Sequence, residues 1–204
     1  MNRILLASGN QGKLLELQQL FKGLDVELMP QPKTKEYHVE ETGSTFVENA
    51  IIKARHASSL SGMPAIADDS GLIVNALGGE PGVITARYAG ENSNSDENMA
   101  LVLKQLKSFS SLSDRLASFV CVLVYMRDAE DPLPVIAIGR WHGAICLERQ
   151  GGKGFGYDPV FWCFEEKKSA AELEASSKQK YSHRGMAARL LKHQLKELYN
   201  PNNV

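Results

Sequence analysis

The sequence is poor in cysteine, which limits how the fold can be held together. Its 204 residues include three cysteines, Cys121, Cys146 and Cys163, and they form no C-x-x-C pair. This wide spacing, with no histidine cluster nearby, excludes the usual zinc-binding patterns and a disulfide scaffold. A chain of this length can bury a core without cross-links. We therefore expect three reduced, buried thiols.

Long apolar runs and an excess of charge are also missing. The longest apolar run covers residues 119–126, far short of the roughly 20 residues that a membrane-spanning helix needs. The N-terminus has no apolar segment of signal-peptide length. The formal net charge of −1 gives no general attraction to nucleic acid or to membranes. We expect a cytoplasmic protein that binds neither nucleic acid polymers nor membranes.

Hydrophobic periodicity predicts an α/β fold, a mixed sheet with helices on its faces. The chain opens with a β-α-β pattern, in which a helix over residues 14–21 precedes a strand over residues 25–29 that Pro30 and Pro32 end. Thr45 and Glu48 have the spacing of a capping box and predict the start of a second helix. The opening therefore predicts two helices and two parallel strands.

The rest of the chain alternates between predicted helices and strands. Residues 68–71 indicate a break between short strands at 65–67 and 72–74, which would present Asp68 and Asp69 rather than bury them. We expect one domain over residues 1–200 and a frayed tail over residues 201–204. The other predicted elements are a helix at 95–107, a helix capped by Ser182 that runs to about Tyr199, an antiparallel hairpin of strands at 117–127 and 135–141, and a strand at 143–147.

The most informative motif is a polar turn between the first strand and the first helix. Glycines let the backbone approach an anion, the first N–H groups of a helix point at it, and a lysine adds positive charge. The spacing is too short for the P-loop pattern, which excludes the usual nucleotide-hydrolase interpretation. An ordinary loop is the alternative. The predicted phosphate-binding turn consists of Ser8, Gly9, Asn10, Gln11, Gly12 and Lys13.

Two acidic pairs predict a metal site. Asp68 and Asp69 follow an apolar step, and Glu40 and Glu41 lie in a polar stretch before a helix. Magnesium prefers carboxylate oxygens, waters and substrate phosphates, so the four acids together would suit one ion. Adjacent carboxylates repel, which either raises the pKa of one toward general-base use or is offset by a metal. The alternative is that residues 68–71 form only a turn.

Cationic side chains near the C-terminus are a second candidate group. Lys178, His183 and Arg184 are expected near the start of the final helix, where cations oppose the helix dipole and therefore suggest an anionic or oxygen-rich ligand. A solvated helix start is the alternative. Lys53, in the capped helix, is more simply interpreted as a solvent-facing lysine than as a phosphate contact.

A glycine-rich loop over residues 151–159 is a third candidate. It contains Phe155 and Tyr157 among four glycines. Flat rings on a flexible backbone suit stacking on a planar base, and they suit packing into the core equally well. The loop is not a dinucleotide-binding fingerprint, because no G-x-G-x-x-G follows a strand and opens a helix.

Five motifs together resemble the inosine triphosphatase, or Ham1-like, family of non-canonical purine nucleoside triphosphate pyrophosphatases. Each motif is weak alone, but the set is highly specific and occurs in family order over nearly the whole chain. The resemblance implies an elongated mixed sheet in two lobes with a central cleft, a homodimer, and magnesium-dependent hydrolysis of ITP, dITP or XTP to the monophosphate and pyrophosphate. The motifs are S-G-N-Q-G-K at 8–13, E-E-T-G-x-T-F-x-E-N-A at 40–50, A-D-D-S-G-L at 67–72, G-G-x-G-F-G-Y-D-P at 151–159 and S-H-R-G at 182–185.

The resemblance also implies roles for residues at matching positions. The turn at 8–13 would bind the triphosphate, and Asp69 would accept a proton and bind the metal. Either Glu40 or Glu41 would supply the second metal carboxylate. The physics of such a reaction adds Lys53, which with Lys13 and magnesium would neutralise the charge that grows on the pyrophosphate. The other contacts that the resemblance implies are Ser70, Phe155, Gly156, Tyr157, Asp158, Lys178, His183 and Arg184.

Two other functions are compatible with the same residues. A nucleotide-binding sensor would keep the pocket and not hydrolyse its ligand, although such a protein has no need of Asp69, Lys13 and both glutamates. A pyrophosphatase of the same chemistry that acts on canonical or pyrimidine nucleotides is the third hypothesis, and competition between substrates would separate it from the first.

Overall fold

The computed structural model describes residues 2–9 and 11–199. Its strands are β1 (Asn2–Ala7), β2 (Val26–Pro30), β3 (Ala65–Val74), β4 (Leu116–Met126), β5 (Val135–Ile145), β6 (Phe161–Cys163) and β7 (Lys168–Ser169). Its helices are α1 (Gln11–Leu20), α2 (Phe46–Ser61), α3 (Ser95–Gln105), α4 (Ala175–Tyr181) and α5 (His183–Tyr199). Short 3-10 turns lie at Lys35–Tyr37, Asn75–Leu77, Gly82–Arg87, Leu112–Arg115, Asp158–Val160 and Ala170–Glu172.

Within the described residues, seven strands form one open sheet in the order β2-β1-β3-β4-β5-β6-β7. Strand β1 runs parallel to β2 and β3, whereas β6 runs antiparallel to both β5 and β7. The sheet is therefore mixed, and the predicted α/β fold class is confirmed. None of the helices in the described part of the chain has the length and hydropathy to cross a membrane.

The β-α-β opening is confirmed, and its second strand stops at Pro30. Strand β2 pairs with β1 through Pro30, which lies opposite Leu6. Pro30 is the last residue of the strand, in agreement with the prediction that Pro30 and Pro32 end it, and the edge position of β2 tolerates a residue that has no N–H to donate.

Helix α2 begins and ends as its sequence predicts. The Thr45 hydroxyl accepts from the N–H of Glu48 at 3.2 Å, and the Glu48 carboxylate accepts from the N–H of Thr45 at 2.9 Å. Gly62 ends the helix with a φ of 65°, a left-handed conformation that glycine adopts without strain. The residues of its buried stripe include Ala50, Ala54 and Ala57.

Strand β3 contradicts the predicted break at residues 68–71. It is continuous from Ala65 to Val74, and Asp68 and Asp69 are buried rather than presented. A buried carboxylate is tolerated where cations compensate for the lost hydration, and both aspartates have lysine partners. Long-range ion pairs therefore keep the strand intact.

Strand β5 is longer than predicted and absorbs most of the separate strand expected at residues 143–147. Gly143 lies inside β5, where a Cβ atom would overlap the ring of Phe161 and the backbone of Trp162. The glycine therefore permits close packing instead of ending the strand. Strands β6 and β7 and helix α4 were not predicted, since each is too short to have a recognisable period.

The described residues divide into two compact units. The first comprises the described residues of 1–69, 121–139 and 184–204, and the second comprises Ser70–Val120 and Arg140–His183. The core of the first unit includes Leu6, Leu17, Ile66, Leu123, Leu191 and Leu195. The core of the second unit includes Leu72, Met99, Val102, Trp141, Ile145 and Phe161.

Each unit thus has a core of its own. The single domain over residues 1–200 and the cleft between two lobes stay predictions, and the tail at 201–204 lies outside the described residues. The three cysteines are buried thiols rather than members of disulfides, as expected.

Candidate active site

The phosphate-binding turn joins β1 to the first turn of α1. Ser8 and Gly9 follow the strand, and Gly12 and Lys13 already belong to the helix. The first N–H groups of an α-helix have no partner within the helix and favour an anion. Asn10 lies outside the described residues. The turn therefore combines a helix start with a lysine, as the sequence predicts.

Asp68 is the best-buried acid of the first unit, and its side chain is wholly inaccessible to solvent. It pairs with the ammonium of Lys13, accepts from the Cys121 thiol at 3.1 Å and lies 3.4 Å from Nε of Arg184. Burial alone would raise its pKa, but Lys13 and Arg184 hold the pKa of Asp68 well below its usual range. Asp68 is therefore an ionised anchor for two cationic side chains.

Asp69 differs from its neighbour in having one oxygen to spare. Its Oδ1 accepts from Nζ of Lys53 at 2.7 Å, whereas its Oδ2 is buried and has no hydrogen-bond partner among the described residues. Burial raises the pKa of Asp69, and the charge of Lys53 offsets only part of that rise. A buried oxygen of raised basicity is what a general base or a metal ligand requires.

Lys53 connects the two acidic segments. Its ammonium donates to Oδ1 of Asp69 and to Oε1 of Glu41, the latter at 2.8 Å. Burial alone would lower its pKa, but the two carboxylates raise the pKa of Lys53 above its ordinary value. The interpretation of Lys53 as a solvent-facing lysine is therefore wrong, since 17% of its side chain is exposed.

A pocket of about 240 Å³ lies beside these groups in the first unit. Its surface includes the cations Lys13 and Lys53 and the acids Glu41 and Asp68. Such a surface suits an anionic ligand that carries a bound metal cation. The residues that line the pocket are Ala7, Ser8, Gly9, Lys13, Gln31, Tyr37, His38, Val39, Glu41, Lys53 and Asp68.

The donor set fits a magnesium ion that is held partly by substrate. Among the described residues, no group of three His, Cys, Asp or Glu side chains is placed to hold a metal alone. Magnesium is commonly bound through one or two carboxylates, waters and substrate phosphates. The unpartnered Oδ2 of Asp69 supplies one such oxygen. Glu41 is linked to Asp69 by Lys53, whose ammonium donates to both carboxylates. Glu40 is exposed.

The two aromatic residues of the glycine-rich loop, Phe155 and Tyr157, have different environments. Tyr157 is buried, and its hydroxyl donates to the carbonyl of Thr85 at 2.9 Å. Phe155 is 49% exposed, and Nζ of Lys178 lies 4.9 Å from the centroid of its ring. Phe155 is thus available to a flat ligand, while Tyr157 serves the core.

Asp158 holds this loop in shape. Its Oδ2 accepts from the N–H of Phe155 at 2.7 Å and from Nζ of Lys178 at 2.5 Å. Gly154, with a φ of 84°, leaves the space that the carboxylate occupies. Gly156 is also left-handed, with a φ of 61°.

Lys178 lies in the last turn of α4, not at the start of the final helix as predicted. For Lys178 the predicted conflict with the helix dipole is therefore absent, since cations are favoured in a last turn. His183 does begin α5, and its ring stacks on Phe119 with centroids 4.8 Å apart. Arg184 belongs to the first unit and pairs with Glu16 at 3.0 Å.

Comparison with known proteins identifies the family. Residues 4–194 match the Ham1 family, which covers most of the chain. The chain belongs to the Ham1 family. The dITP/XTP pyrophosphatase of Idiomarina loihiensis is 52% identical over 95% of this chain and 98% of that protein. The dITP/XTP pyrophosphatase of Shigella flexneri is 49% identical over 94% of this chain and 96% of that protein.

Solved structures of Ham1 proteins share this fold. The Ham1 protein of Coxiella burnetii is 48% identical, with a TM-score of 0.90, and the match covers 97% of this chain and 100% of that one. The Ham1 protein of Staphylococcus aureus is 39% identical, with a TM-score of 0.86, and covers the same shares. The predicted family and fold class are both confirmed.

Some contacts of this Ham1 chain were not predicted. Lys53 carried a usable signal, because it lies three residues after Ala50 and four before Ala57 and therefore shares their buried stripe. Phe119 and His183 are 64 positions apart in the sequence, and no sequence pattern indicates that their rings stack. For Ser70, which follows Asp69 in β3, contact with substrate stays a prediction.

Proposed function

We propose that this chain hydrolyses non-canonical purine nucleoside triphosphates, namely ITP, dITP and XTP, to the nucleoside monophosphate and pyrophosphate. The observation that carries the proposal is the buried carboxyl of Asp69, whose Oδ2 has no partner among the described residues while Lys53 holds its Oδ1. The substrate class is supported by relatives that share about half of their residues with this chain and are named dITP/XTP pyrophosphatases.

In the proposed reaction, water attacks the α-phosphorus and the bond to the bridging oxygen of the β-phosphate breaks. Oδ2 of Asp69 takes the proton from the water, and the pyrophosphate leaves with the electron pair. The ammonium groups of Lys13 and Lys53, both on the pocket surface, stabilise the negative charge that grows on the leaving group. Mg²⁺ bound by Asp69 and a second acid would polarise the phosphates.

Four side chains supply the contacts proposed for the base. The exposed ring of Phe155 offers a stacking face, and Lys178 beside it adds positive charge. His183 and Arg184 carry N–H donors that suit the 6-oxo group of hypoxanthine and xanthine. Adenine has an amino group at that position and would leave such a donor unpaired, which a hydrogen-bonding site rejects strongly.

Other properties of the protein are proposed on the family resemblance. We infer that the metal is Mg²⁺, that the protein is a homodimer and that it works in the cytoplasm on free nucleotides. The net charge of −1 agrees with a protein that does not bind nucleic acid polymers.

A product assay tests the proposed function. Pyrophosphate and orthophosphate are measured from dITP, XTP, dATP and dGTP, each with Mg²⁺ and with chelator. We expect pyrophosphate from dITP and XTP alone, and none with chelator. Orthophosphate would indicate removal of the γ-phosphate, equal turnover of all four would indicate an unselective pyrophosphatase, and no product would indicate a sensor.

A magnesium titration of two variants identifies the second metal carboxylate. Glu41→Gln is expected to lower kcat at least about tenfold, because Lys53 loses a charged hydrogen-bond partner next to Asp69. The variant whose half-saturating Mg²⁺ concentration rises, Glu40→Gln or Glu41→Gln, supplies the ligand. If neither variant changes the Mg²⁺ dependence, the acidic segment at 40–41 does not bind the metal.

A further inference from the structure

Buried rings in the second unit form a cluster beside His183. The aromatic cluster consists of Phe119 on β4, Trp141 on β5 and Phe161 on β6. Ring centroids are 4.4 Å apart for Phe119 and Phe161, 4.9 Å for Trp141 and Phe161, and 6.2 Å for Phe119 and Trp141. Each residue is at most 6% exposed, so the rings contact one another rather than water.

The imidazole of His183 stacks on this cluster. It lies almost parallel to the ring of Phe119, with an interplanar angle of 16° and centroids 4.8 Å apart. His183 is 8% exposed and begins helix α5, directly after the buried Ser182. One face of the imidazole is therefore covered by a ring that the sheet holds.

The backbone of β5 helps to fix the position of the cluster. A Cβ atom at Gly143 would lie 2.6 Å from Cζ of Phe161, closer than real side chains approach. The absence of that atom lets Phe161 lie against the strand and, through its 4.4 Å contact, support Phe119. Phe119 thus has little freedom to tilt, because close-packed aromatic rings leave no adjoining space.

We propose that Phe119 is a positioning residue for purine recognition, which acts by fixing the plane of the His183 imidazole. The inference rests on the proposed function, in which His183 donates a hydrogen bond to the 6-oxo group. A hydrogen bond weakens steeply as its angle departs from linear, so a donor held in one plane discriminates better than one that rotates. Phe119 itself does not touch the substrate.

Matched substitutions in the cluster separate this role from general packing. Phe119→Leu keeps an apolar side chain but removes the flat face, whereas Phe161→Leu removes a ring that contacts Phe119. We expect Phe119→Leu to raise KM for dITP about tenfold with little change in kcat, and to reduce the preference for dITP over dATP similarly. Phe119→Tyr retains the ring face and is expected to restore both. Phe161→Leu is expected to change the preference less.

A double-mutant cycle with His183→Ala shows whether Phe119 acts through the imidazole. In that background, Phe119→Leu is expected to leave the preference for dITP over dATP unchanged, since the positioned group is gone. Equal effects of Phe119→Leu with and without His183 would overturn the proposal. An unchanged preference in Phe119→Leu, at a measured loss of stability, would also overturn it and leave a packing role.

A spectroscopic measurement distinguishes failure of this inference from failure of the proposed function. The stacked ring is expected to shift the His183 ring-proton resonances upfield, and the shift should be lost in Phe119→Leu and kept in Phe119→Tyr. This readout needs no turnover. Absent hydrolysis in the wild type would contradict the proposed function, whereas His183 resonances that do not respond to Phe119→Leu would contradict the positioning role.

Discussion

Asp69→Asn is expected to lower the rate of pyrophosphate release from dITP by about 10²–10⁴-fold, the usual contribution of a general base. The amide has nearly the shape of the carboxyl but cannot take a proton from water at neutral pH. The buried Oδ2, which has no partner among the described residues, would be lost as an acceptor. Single-turnover rates at saturating Mg²⁺ measure the effect without interference from product release.

Loss of folding should not explain the loss of activity. Burial raises the pKa of Asp69 above its ordinary value of 3.8 in the metal-free protein, so the folded state holds that proton more tightly than the unfolded state. The free energy of unfolding therefore falls as the pH rises from the pKa of Asp69 in the unfolded chain to its higher pKa in the folded protein. Ionised Asp69 is thus destabilising at neutral pH. Asp69→Asn should therefore be at least as stable as the wild type in denaturant.

Glu27→Gln is the matched control for the loss of a carboxylate. Glu27 lies on β2 in an exposed pair with Arg3, and its side chain is 44% exposed. Its substitution is expected to leave the rate unchanged. An Asp69→Asn protein with full magnesium-dependent turnover would show that another group accepts the proton.

Arg115→Met is expected to have the largest effect on stability, lowering the free energy of unfolding by about 3 kcal/mol or more. Arg115 is 2% exposed, and its guanidinium joins the end of α3 to the end of β5. Methionine would leave several buried carbonyl groups without donors. The acceptors are the carbonyl oxygens of Ile145 at 2.8 Å, Leu106 at 3.0 Å, Phe109 at 3.1 Å and Cys146 at 2.6 Å.

Equilibrium unfolding in denaturant measures this effect against two controls. Arg115→Lys keeps the charge but presents its donors from one nitrogen, so an intermediate loss is expected. Arg140→Met removes an exposed arginine of the same unit and should change the free energy by at most about 0.5 kcal/mol. Equal stability of Arg115→Met and Arg140→Met would mean that the four carbonyl groups find other donors.

Local signals in the sequence predicted the elements that local interactions determine. The capping box of Thr45 and Glu48 and the terminal Gly62 involve contacts within a few residues, and the structure has all three as expected. The β-α-β opening follows from periodicity and was also predicted. The end of β2 at Pro30 was predicted from equally local chemistry, because proline has no N–H to donate to a neighbouring strand.

The candidate site was predicted in its residue types more than in its geometry. Two adjacent aspartates suggested a turn, because the cations that stabilise their burial come from distant segments. Lys13 is 55 positions from Asp68, and Arg184 is 116 positions from it. Such pairings depend on the assembled sheet. The same holds for the stacking of His183 on Phe119.

The most direct test of the account follows heavy-oxygen-labelled water through a single turnover of dITP with Mg²⁺. Attack at the α-phosphorus predicts that all the label enters dIMP and none enters pyrophosphate. Label in pyrophosphate would mean attack at the β-phosphorus, and label in orthophosphate would mean removal of the γ-phosphate. Either result, or unchanged dITP, would contradict the proposed function.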